Sequence, residues 1–465
     1  GANCINGQTG ASHPGGWGTI LIVGMRLGGG AIDVDLNGDG DTVDAGERFR
    51  SSYYVLDVTD PEKPPRLLWR FTDPNLGFTT SYPAIAHIKG SPEKWFMVVG
   101  SGPDNNVPTG TRGYEGTSTQ TGRVFVVNLL NGIKAKEFTT DTNAFMGDPT
   151  IVDGDMDFTT DVVYIGSVNS TTSGKVYRIN TNSDLNPTNW TISTLIDTGR
   201  PLLVGPSVSK DSFNNLWVFF GTGRLFGVAD KTNGDQQSLW GIKDGCWKGG
   251  GTVRLASVSA GNVVTAGTTD TACPVTYTTA RLLDVTNTQV TLAGGASQVS
   301  GLTGSAISYQ TLLSTARSAH GWYSKLSSSA PTEKVLSRSV VIGGLVLFTT
   351  FTPTTDICGF QGDSSIYALY YETGTAYIKP VIGTTGSGAT ETVLKTKTLG
   401  KGMPTTVGIA VGKKTKGYVQ TSTGTIVEVE AAPPLAVRSG AAGWREKTGG
   451  GGAVDIEEIY KHIVK

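Results

Sequence analysis

A short phrase that recurs along the chain constrains its fold more than any other feature. In each copy a turn residue, usually proline, precedes two or three β-branched or apolar residues. The clear copies begin at Pro83, Pro149, Pro206, Arg338 and Pro404. Proline suits the first residue of a strand, because no ladder hydrogen bond is lost there. The phrase therefore predicts the opening strands of a series of similar β units.

The spacing of these copies predicts seven units. Successive copies lie 66, 57, 132 and 66 residues apart, and 132 is twice 66. One more start is therefore expected near residue 272, in a divergent stretch, and another near Trp17, one interval before Pro83. Each clear start is followed by a strand of buried character, usually ending in glycine, and then by an alternating strand that ends in a turn.

Three or four strands every 57 to 66 residues, with no segment of helical periodicity between them, are typical of a β-propeller. The 64 glycines and 20 prolines among 465 residues also disfavour a helical bundle. A row of separate β-sandwich domains is the alternative, but each would need about 100 residues, more than the period provides. We therefore predict an all-β protein in which residues 1–446 form a seven-bladed β-propeller.

Two regions depart from this pattern. Residues 241–330 are rich in small residues, threonine and serine, and are predicted to form an irregular insertion in the fifth blade. Residues 447–465 contain a run of four glycines and then apolar residues at helical spacing, such as Ile456 and Ile459. They are predicted to be a linker followed either by a short amphipathic helix that contacts a partner or by a frayed end.

Charge and hydropathy argue against a nucleic-acid partner and against a membrane-spanning segment. The chain carries 38 basic and 39 acidic residues, for a formal net charge of -1, and has no dense basic tract, so we expect no nucleic-acid partner. No run of about 18 apolar residues occurs, so no membrane span is predicted. The first residues, Gly1-Ala-Asn, are what a processed or excised piece of a longer chain would be expected to show, so the missing signal peptide says nothing about export.

The four cysteines, Cys4, Cys246, Cys273 and Cys358, form no CxxC motif and have no histidine nearby, which disfavours structural zinc. In an exported protein they could form two disulfide bonds. A bond between Cys246 and Cys273, which flank a loop-like segment, is the first pairing that we predict. Four unpaired buried thiols are the alternative.

The densest chemistry in the sequence is an acidic string between two predicted strands. Four carboxylates within nine residues repel one another unless a cation lies among them, and Ca²⁺ accepts six to eight oxygen ligands. The string has phenylalanine at position 158, where an EF-hand loop has glycine, so we predict a calcium-binding hairpin rather than an EF-hand. Its predicted ligands are Asp153, Asp155, Asp157 and Asp161, with the backbone carbonyl of Thr159. An acidic but empty turn is the alternative.

A second acidic loop lies between strands of the first predicted blade. Read from Asp33, it matches the calcium pattern D-x-[DN]-x-[DN]-G, which is also matched when the reading starts at Asp35. The first register is preferred because it keeps ligands at positions 9 and 12. The predicted ligands are Asp33, Asp35, Asn37, Asp39, Asp41 and Asp44.

The ligand chemistry favours calcium in both loops. Oxygen donors without histidine disfavour Zn²⁺ and Cu²⁺, and the number of donors favours Ca²⁺ over Mg²⁺. Bound calcium could stabilise the hairpin that holds it, since an ion that binds only the folded state stabilises that state. A sensing role would need a second state with a different calcium affinity.

No motif in the sequence indicates an enzyme. The four histidines, His13, His87, His320 and His462, are scattered, and the sequence contains no GxSxG, CxxCH or P-loop motif. A propeller oxidoreductase with a quinone cofactor is the rival hypothesis, but the nine tryptophans do not recur at the regular spacing that such a protein would be expected to show. We predict no catalytic residues and no cofactor other than Ca²⁺.

Several blocks of the sequence resemble the PilY family of type IV pilus tip proteins. They span residues 16 to 446 and include Gly16-Trp-Gly-Thr-Ile-Leu-Ile-Val-Gly24, Tyr54-Val-Leu-Asp-Val-Thr-Asp-Pro61, Val218-Phe-Phe-Gly-Thr-Gly-Arg224 and Val335-Leu-Ser-Arg-Ser-Val-Val-Ile-Gly-Gly344. The resemblance implies a modified seven-bladed β-propeller, like the C-terminal domain of the family. It also implies a calcium loop at Asp153 to Asp161. The Asp33 to Asp44 loop departs from the family pattern, in which that hairpin is short.

The resemblance further implies a function. It predicts an extracellular, calcium-binding adhesin module at the tip of a type IV pilus, with minor pilins as partners and a host or abiotic surface as the attachment target. In the family, calcium in this loop is linked to pilus extension and retraction, and with them to cell adhesion and twitching motility. The family's variable N-terminal adhesive region has no counterpart in this sequence. A secreted, calcium-stabilised scaffold without a pilus role is a further alternative.

Overall fold

Antiparallel sheets account for nearly all of the regular structure, which confirms the predicted all-β class. The computed structural model describes residues 18–29, 32–41, 48–104, 116–170, 172–247, 276–293, 296–302, 306–356, 361–412, 414–431 and 433–435. No helix in these ranges is both long enough and apolar enough to cross a membrane. The predicted tail, residues 447–465, lies outside them.

Six sheets follow one another along the chain, and in each of them successive strands pair antiparallel. Sheet 1 contains Ile20–Gly24, Tyr53–Asp57 and Arg66–Phe71, and sheet 2 contains Ala84–Ile88, Lys94–Gly100, Arg123–Asn128 and Lys134–Thr139. Sheet 3 contains Ala144–Val152, Val162–Asn169, Lys175–Asn180 and Thr191–Asp197. Sheet 4 contains Ser207–Lys210, Leu216–Gly221, Ser238–Lys243 and Gly321–Lys325, with Leu283–Asp284 added in parallel at its edge. Sheet 5 contains Val340–Ile342, Leu345–Thr352, Asp363–Tyr370 and Thr396–Lys401, and sheet 6 contains Gly408–Ala410, Lys416–Gln420 and Ile426–Glu430.

A seventh sheet, called the insertion sheet below, is assembled from two distant parts of the chain. Its strands, in spatial order, are Ile307–Ser308, Ala296–Ser300, Gln289–Ala293, Glu391–Val393 and Thr384–Thr385. The helix Tyr309–Ser318 follows it directly, with the Ser308 side chain accepting the N–H of Thr311 as the N-cap. The remaining elements are the hairpin of Ile32–Asp33 with Arg48–Phe49, the single helical turn Ala229–Thr232, and the 3₁₀ turns Pro187–Asn189, Thr279–Arg281 and Gly388–Thr390.

The repeat interval read from the sequence reappears as contacts between equivalent positions of neighbouring sheets. The N–H of Tyr82 donates to Oδ1 of Asp148 at 2.8 Å, and the hydroxyl of Ser81 donates to the carbonyl of Gly147 at 2.8 Å. The members of both pairs are 66 residues apart. The doubled interval of 132 residues is also a direct contact, because the hydroxyl of Ser207 donates to the carbonyl of Ser339.

That last contact makes sheets 4 and 5 direct neighbours. The start expected near residue 272 lies outside the described residues. The insertion sheet is built from strands that lie within the chain spans of sheets 4 and 5. The predicted insertion, residues 241–330, leaves and returns within sheet 4, because Ser238–Lys243 pairs with Gly321–Lys325. Seven sheets of three or more strands are present in the described part of the chain, in a modified, propeller-like arrangement.

The hydrophobic core is divided among the spaces between neighbouring sheets. Val98 of sheet 2 packs with Val163 and Ile179 of sheet 3, and all three side chains are fully buried. Trp217 of sheet 4 packs in the same way with Val346 of sheet 5. Burying each such side chain contributes about 1.5–3 kcal/mol, so every sheet is stabilised by its neighbours.

Gly166, inside the strand Val162–Asn169, and Gly221, the last residue of Leu216–Gly221, show why glycine recurs in the second strands of the sheets. A Cβ atom at Gly166 would lie 2.5 Å from Cγ of Leu202, and one at Gly221 would lie 2.3 Å from Cγ2 of Val335. Both contacts are with the segment that enters the next sheet. Glycine is therefore required at both positions, because the segment that enters the next sheet approaches too closely for a side chain.

Three of the four cysteines, Cys4, Cys273 and Cys358, lie outside the described residues. The disulfide pairing therefore stays a prediction.

Candidate metal site

The first acidic loop is a hairpin connection, as predicted. It joins Ala144–Val152 to Val162–Asn169, the first two strands of sheet 3, and Val152 pairs with Val162 where the loop begins and ends. The N–H of Asp161 donates to the carbonyl of Val152 at 2.9 Å and closes the loop. Strands, not helices, therefore position the acidic side chains.

Three of the four predicted carboxylates converge. One oxygen atom from each of Asp153, Asp155 and Asp161 lies within 4.8 Å of the others. Asp157 is not in this group, and its Oδ1 accepts the N–H of Thr159 at 2.7 Å. The side chain of Thr159 is only 2 % exposed. The three clustered carboxylates are compatible with one cation of the size of Ca²⁺.

The electrostatics of the cluster favour a positive charge. Burial raises the pKa of Asp161 to about 6, and the charges of Asp155 and Asp153 add to this, while the N–H of Gly154, 2.7 Å from Oδ2 of Asp161, opposes it. The pKa of Asp155 is also raised, first by burial and then by the charge of Asp157. A bound cation would relieve this repulsion, because it favours the ionised form of every carboxylate around it.

The loop backbone adopts a conformation that its side chains disfavour. Met156 and Phe158 have φ values of 63° and 69°, in the left-handed region, and their side chains are 75 % and 74 % exposed. The side chain of Asp153 holds this conformation, because it accepts the N–H groups of Asp157 at 3.1 Å and Phe158 at 2.8 Å. Such strain persists only where the surroundings fix the backbone.

Two contacts support the loop from outside and have no signal in the sequence. The indole of Trp247 packs against Gly154, so that a Cβ atom there would lie 2.1 Å from Cη2 of the ring. Nδ1 of His87 donates to the carbonyl of Phe158 at 2.5 Å, while the backbone carbonyl of His87 accepts the N–H of Thr160 at 2.7 Å. His87 and Trp247 are far from the loop in sequence, so only the fold brings them to it.

The second acidic loop follows the hairpin strand Ile32–Asp33. Asp35 accepts the N–H of Gly38 at 2.6 Å on Oδ1 and that of Gly40 at 2.9 Å on Oδ2. Asp39 accepts the N–H of Asp41 at 3.0 Å. Asp44 lies outside the described residues, and the predicted ligand roles of Asp33 and Asp44 stay predictions.

The two loops share one backbone design. In each, the first aspartate accepts the N–H of the sixth residue, Gly40 in one loop and Phe158 in the other. In each, the fifth residue accepts the N–H of the seventh. The fourth and sixth residues have positive φ in both loops, with glycine at both positions in the second loop. By this correspondence Asp35 occupies the place that Asp153 has in the first loop, and the register that begins at Asp33 stays a prediction.

The fold and the two loops together define a class: an all-β, propeller-like protein with acidic hairpin loops. No family model matches the chain. Two stretches match curated proteins named type IV pilus biogenesis factor PilY1 homolog from Xylella fastidiosa, strain Temecula1. One match is 28 % identical over 215 residues, 44 % of this chain and 16 % of the relative. The other is 23 % identical over 408 residues, 79 % of this chain and 22 % of the relative.

The chain therefore spans about a fifth of the length of the curated relatives it matches. Among solved structures, it is similar to the C-terminal domain of Pseudomonas aeruginosa PilY1, with a TM-score of 0.59 and 17 % identity, over 90 % of this chain and 82 % of that domain. These matches confirm the resemblance to the PilY family of type IV pilus proteins that the sequence predicts.

Proposed function

We propose that this chain is a calcium-binding propeller module of a type IV pilus. In this proposal it lies outside the cell at the pilus tip, contacts minor pilins, and acts in pilus assembly, extension and retraction, and surface attachment. The similarity to PilY1 homologues supports a role associated with pilus biogenesis. The observation that carries the calcium part is the convergence of Asp153, Asp155 and Asp161 in a hairpin that fixes their backbone.

The proposed site takes one carboxylate oxygen from each of these three aspartates. Thr159 supplies its backbone carbonyl and Asp157 a further oxygen, as positions 7 and 5 of a calcium loop do. Water completes the six to eight oxygens that Ca²⁺ accepts. The metal compensates the repulsion that raises the pKa of Asp161, so the ion and the loop conformation stabilise each other.

A second calcium ion binds in the loop that begins at Asp35. The proposed ligands there are Asp35, Asn37 and Asp39, with the residue at position 41 supplying a further oxygen. The support for this site is that its backbone conformation matches that of the first loop at positions 4 and 6. Both sites act on the pilus through the shape of the hairpins they hold. No catalytic role is proposed for either.

Calorimetric titration of metal-free protein with CaCl₂ tests the metal sites. We expect two binding events in the wild type and the loss of one in Asp161→Ala. Asp197→Ala is the matched control, because Asp197 lies at the other end of sheet 3 and accepts only a local N–H, from Gly199 at 2.9 Å. Absence of binding, or unchanged binding in Asp161→Ala, would contradict the first site.

The pilus role needs a separate experiment. Immobilised calcium-loaded protein is expected to retain minor pilins from a solubilised membrane fraction, and immunogold labelling is expected to mark the ends of purified pili. Retention should decrease in Asp161→Ala and remain in Asp197→Ala if the loop regulates this contact. Labelling absent from pili, with intact calcium binding, would leave a calcium-stabilised scaffold and exclude the pilus function.

A further inference from the structure

A cavity of about 540 Å³ lies where the first strands of sheets 2 to 6 converge, and none of its lining residues belongs to either acidic loop. Its walls come from residues within or just before those strands, including Tyr82, Pro83, Asp148, Pro149, Leu336 and Arg338. This volume is within the range of sites that hold small organic ligands. The residues of the recurrent phrase that build the fold therefore also enclose a space of ligand size.

The two charged side chains that line the cavity, Asp148 and Arg338, differ in their contacts with the rest of the protein. Asp148 is engaged by the fold, because its Oδ1 accepts the N–H of Tyr82 at 2.8 Å. Arg338 forms no side-chain hydrogen bond or ion pair within the described part of the chain, and the charge of Asp148 acts on it from a distance. A guanidinium stays protonated and presents a planar fork of donors. Arg338 is thus the cationic group of this cavity, and it is available to an anionic ligand.

We propose that the cavity binds a carboxylate attached to an apolar body, with Arg338 as the residue that receives the carboxylate. A guanidinium and a carboxylate form two parallel charge-assisted hydrogen bonds. Pro83, Pro149 and Leu336 give the apolar part of the ligand a surface to pack against. A doubly charged phosphate is disfavoured, because Asp148 adds a negative charge to the same cavity.

Asp148 makes this binding depend on pH. Burial raises the pKa of Asp148 to about 6, while the N–H of Tyr82 and the charges of Arg26 and Arg338 oppose the shift. Tyr53, the other titratable group that faces Asp148, has a raised pKa and stays neutral. Below pH 6 the repulsion between Asp148 and the ligand disappears. A carboxylate therefore binds more tightly at pH 5.5 than at pH 7.5.

Two pairs of probes test the site in calcium-loaded protein. Benzoate and its neutral isostere benzamide represent a small organic acid, and N-acetylphenylalanine and its amide represent the end of a polypeptide chain. By saturation-transfer NMR and calorimetry, the acids are expected to bind about tenfold more tightly than their amides, the order of one charge-assisted contact. If benzoate binds more tightly than N-acetylphenylalanine, the natural ligand is a small organic acid. The opposite order identifies the natural ligand as the carboxylate at the end of a polypeptide chain.

Variants distinguish binding in this cavity from non-specific binding to the protein surface. Arg338→Gln is expected to lower the affinity for the acid to that for the amide, while Arg66→Gln, at the exposed start of an outer strand, leaves it unchanged. Asp148→Asn, which keeps an oxygen for the N–H of Tyr82, is expected to abolish the pH dependence. If Arg338→Gln does not fold, Arg338→Lys keeps the charge, and weaker binding that still prefers the acid supports the site.

Three outcomes would overturn the proposal: equal binding of acid and amide, an Arg338→Gln variant that folds and binds the acid like the wild type, or no binding of any probe at about 20 mM, where sites of millimolar affinity are occupied. None of them bears on the calcium sites, because the probes and variants leave both acidic loops intact.

Discussion

The indole ring of Trp247 covers Gly154, the residue that separates the first two aspartates of the metal loop. A Cβ atom at Gly154 would lie 2.1 Å from the ring, closer than real contacts allow. Trp247 follows the strand Ser238–Lys243 of sheet 4, whereas the loop belongs to sheet 3. The contact therefore joins two neighbouring sheets at the point where the loop turns away from the core.

Gly154→Ala is expected to destabilise the protein by about 1–3 kcal/mol, because the ring or the loop must move to make room. The shift should also weaken calcium binding, since Gly154 donates its N–H to Asp161. Urea denaturation gives the free energy of unfolding, and calorimetry gives the affinity. Gly412→Ala is the control, because a Cβ atom there would meet nothing nearer than 3.7 Å. Equal effects of the two substitutions would show that Trp247 does not constrain the loop.

The pKa of Asp161 predicts how calcium binding depends on pH. In the metal-free protein this pKa is raised from 3.8 to about 6, so the folded chain binds the proton more tightly than the unfolded chain. This tighter proton binding stabilises the metal-free folded protein at low pH, and the stabilisation is lost as the pH rises through 6. Calcium competes with the same proton, so its affinity should rise about tenfold between pH 5 and pH 7.

Calorimetry at several pH values measures this dependence. Asp161→Asn cannot titrate, so its weaker calcium binding should change less with pH. Asp148→Asn is the control, because Asp148 also has a raised pKa but lies outside the loop, and this variant should keep the full dependence. A calcium affinity that is constant from pH 5 to pH 7 in the wild type would contradict the role of Asp161.

The recurrent phrase was sufficient to predict most of the fold. Pro83 and Pro206 directly precede the first strands of sheets 2 and 4, because strand propensity and proline punctuation are local properties of the sequence. Pro149 instead lies inside the strand Ala144–Val152, after a bulge. The insertion sheet could not be predicted in the same way. It pairs Gln289–Ala293 with Glu391–Val393, which are about 100 residues apart, and such pairing depends on tertiary packing.

The candidate site was predictable to the same degree. Acidic spacing alone identified Asp153, Asp155 and Asp161 as side chains that converge, because the placement of groups within one short loop is set by local sequence. The separate position of Asp157 depends on a backbone hydrogen bond to Thr159 that spacing does not reveal. The contact of Trp247 depends on how two sheets pack, which the sequence does not state.

The register of the second loop can be decided by single substitutions. Asp35→Ala removes the acceptor of two backbone N–H groups and the first ligand of the register that the structure favours. We expect it to abolish the second calcium-binding event, whereas Asp33→Ala leaves two events in calorimetric titration. The opposite result would restore the register that begins at Asp33.

Phe158→Gly tests whether the first loop stores backbone strain. A left-handed conformation costs a residue with a side chain about 1–2 kcal/mol, and glycine largely avoids this cost. Phe158 has a φ of 69° and is 74 % exposed, so the ring adds little burial. We expect the variant to be at least as stable as the wild type in urea denaturation, with a gain of up to about 1 kcal/mol. Phe213→Gly is the control. Phe213 is 59 % exposed and has Arg317 over its ring, as Phe158 has Lys89 over its own, but Phe213 does not have a positive φ. It should lose stability, and a similar loss in Phe158→Gly would mean that the ring, not the backbone, matters at the loop.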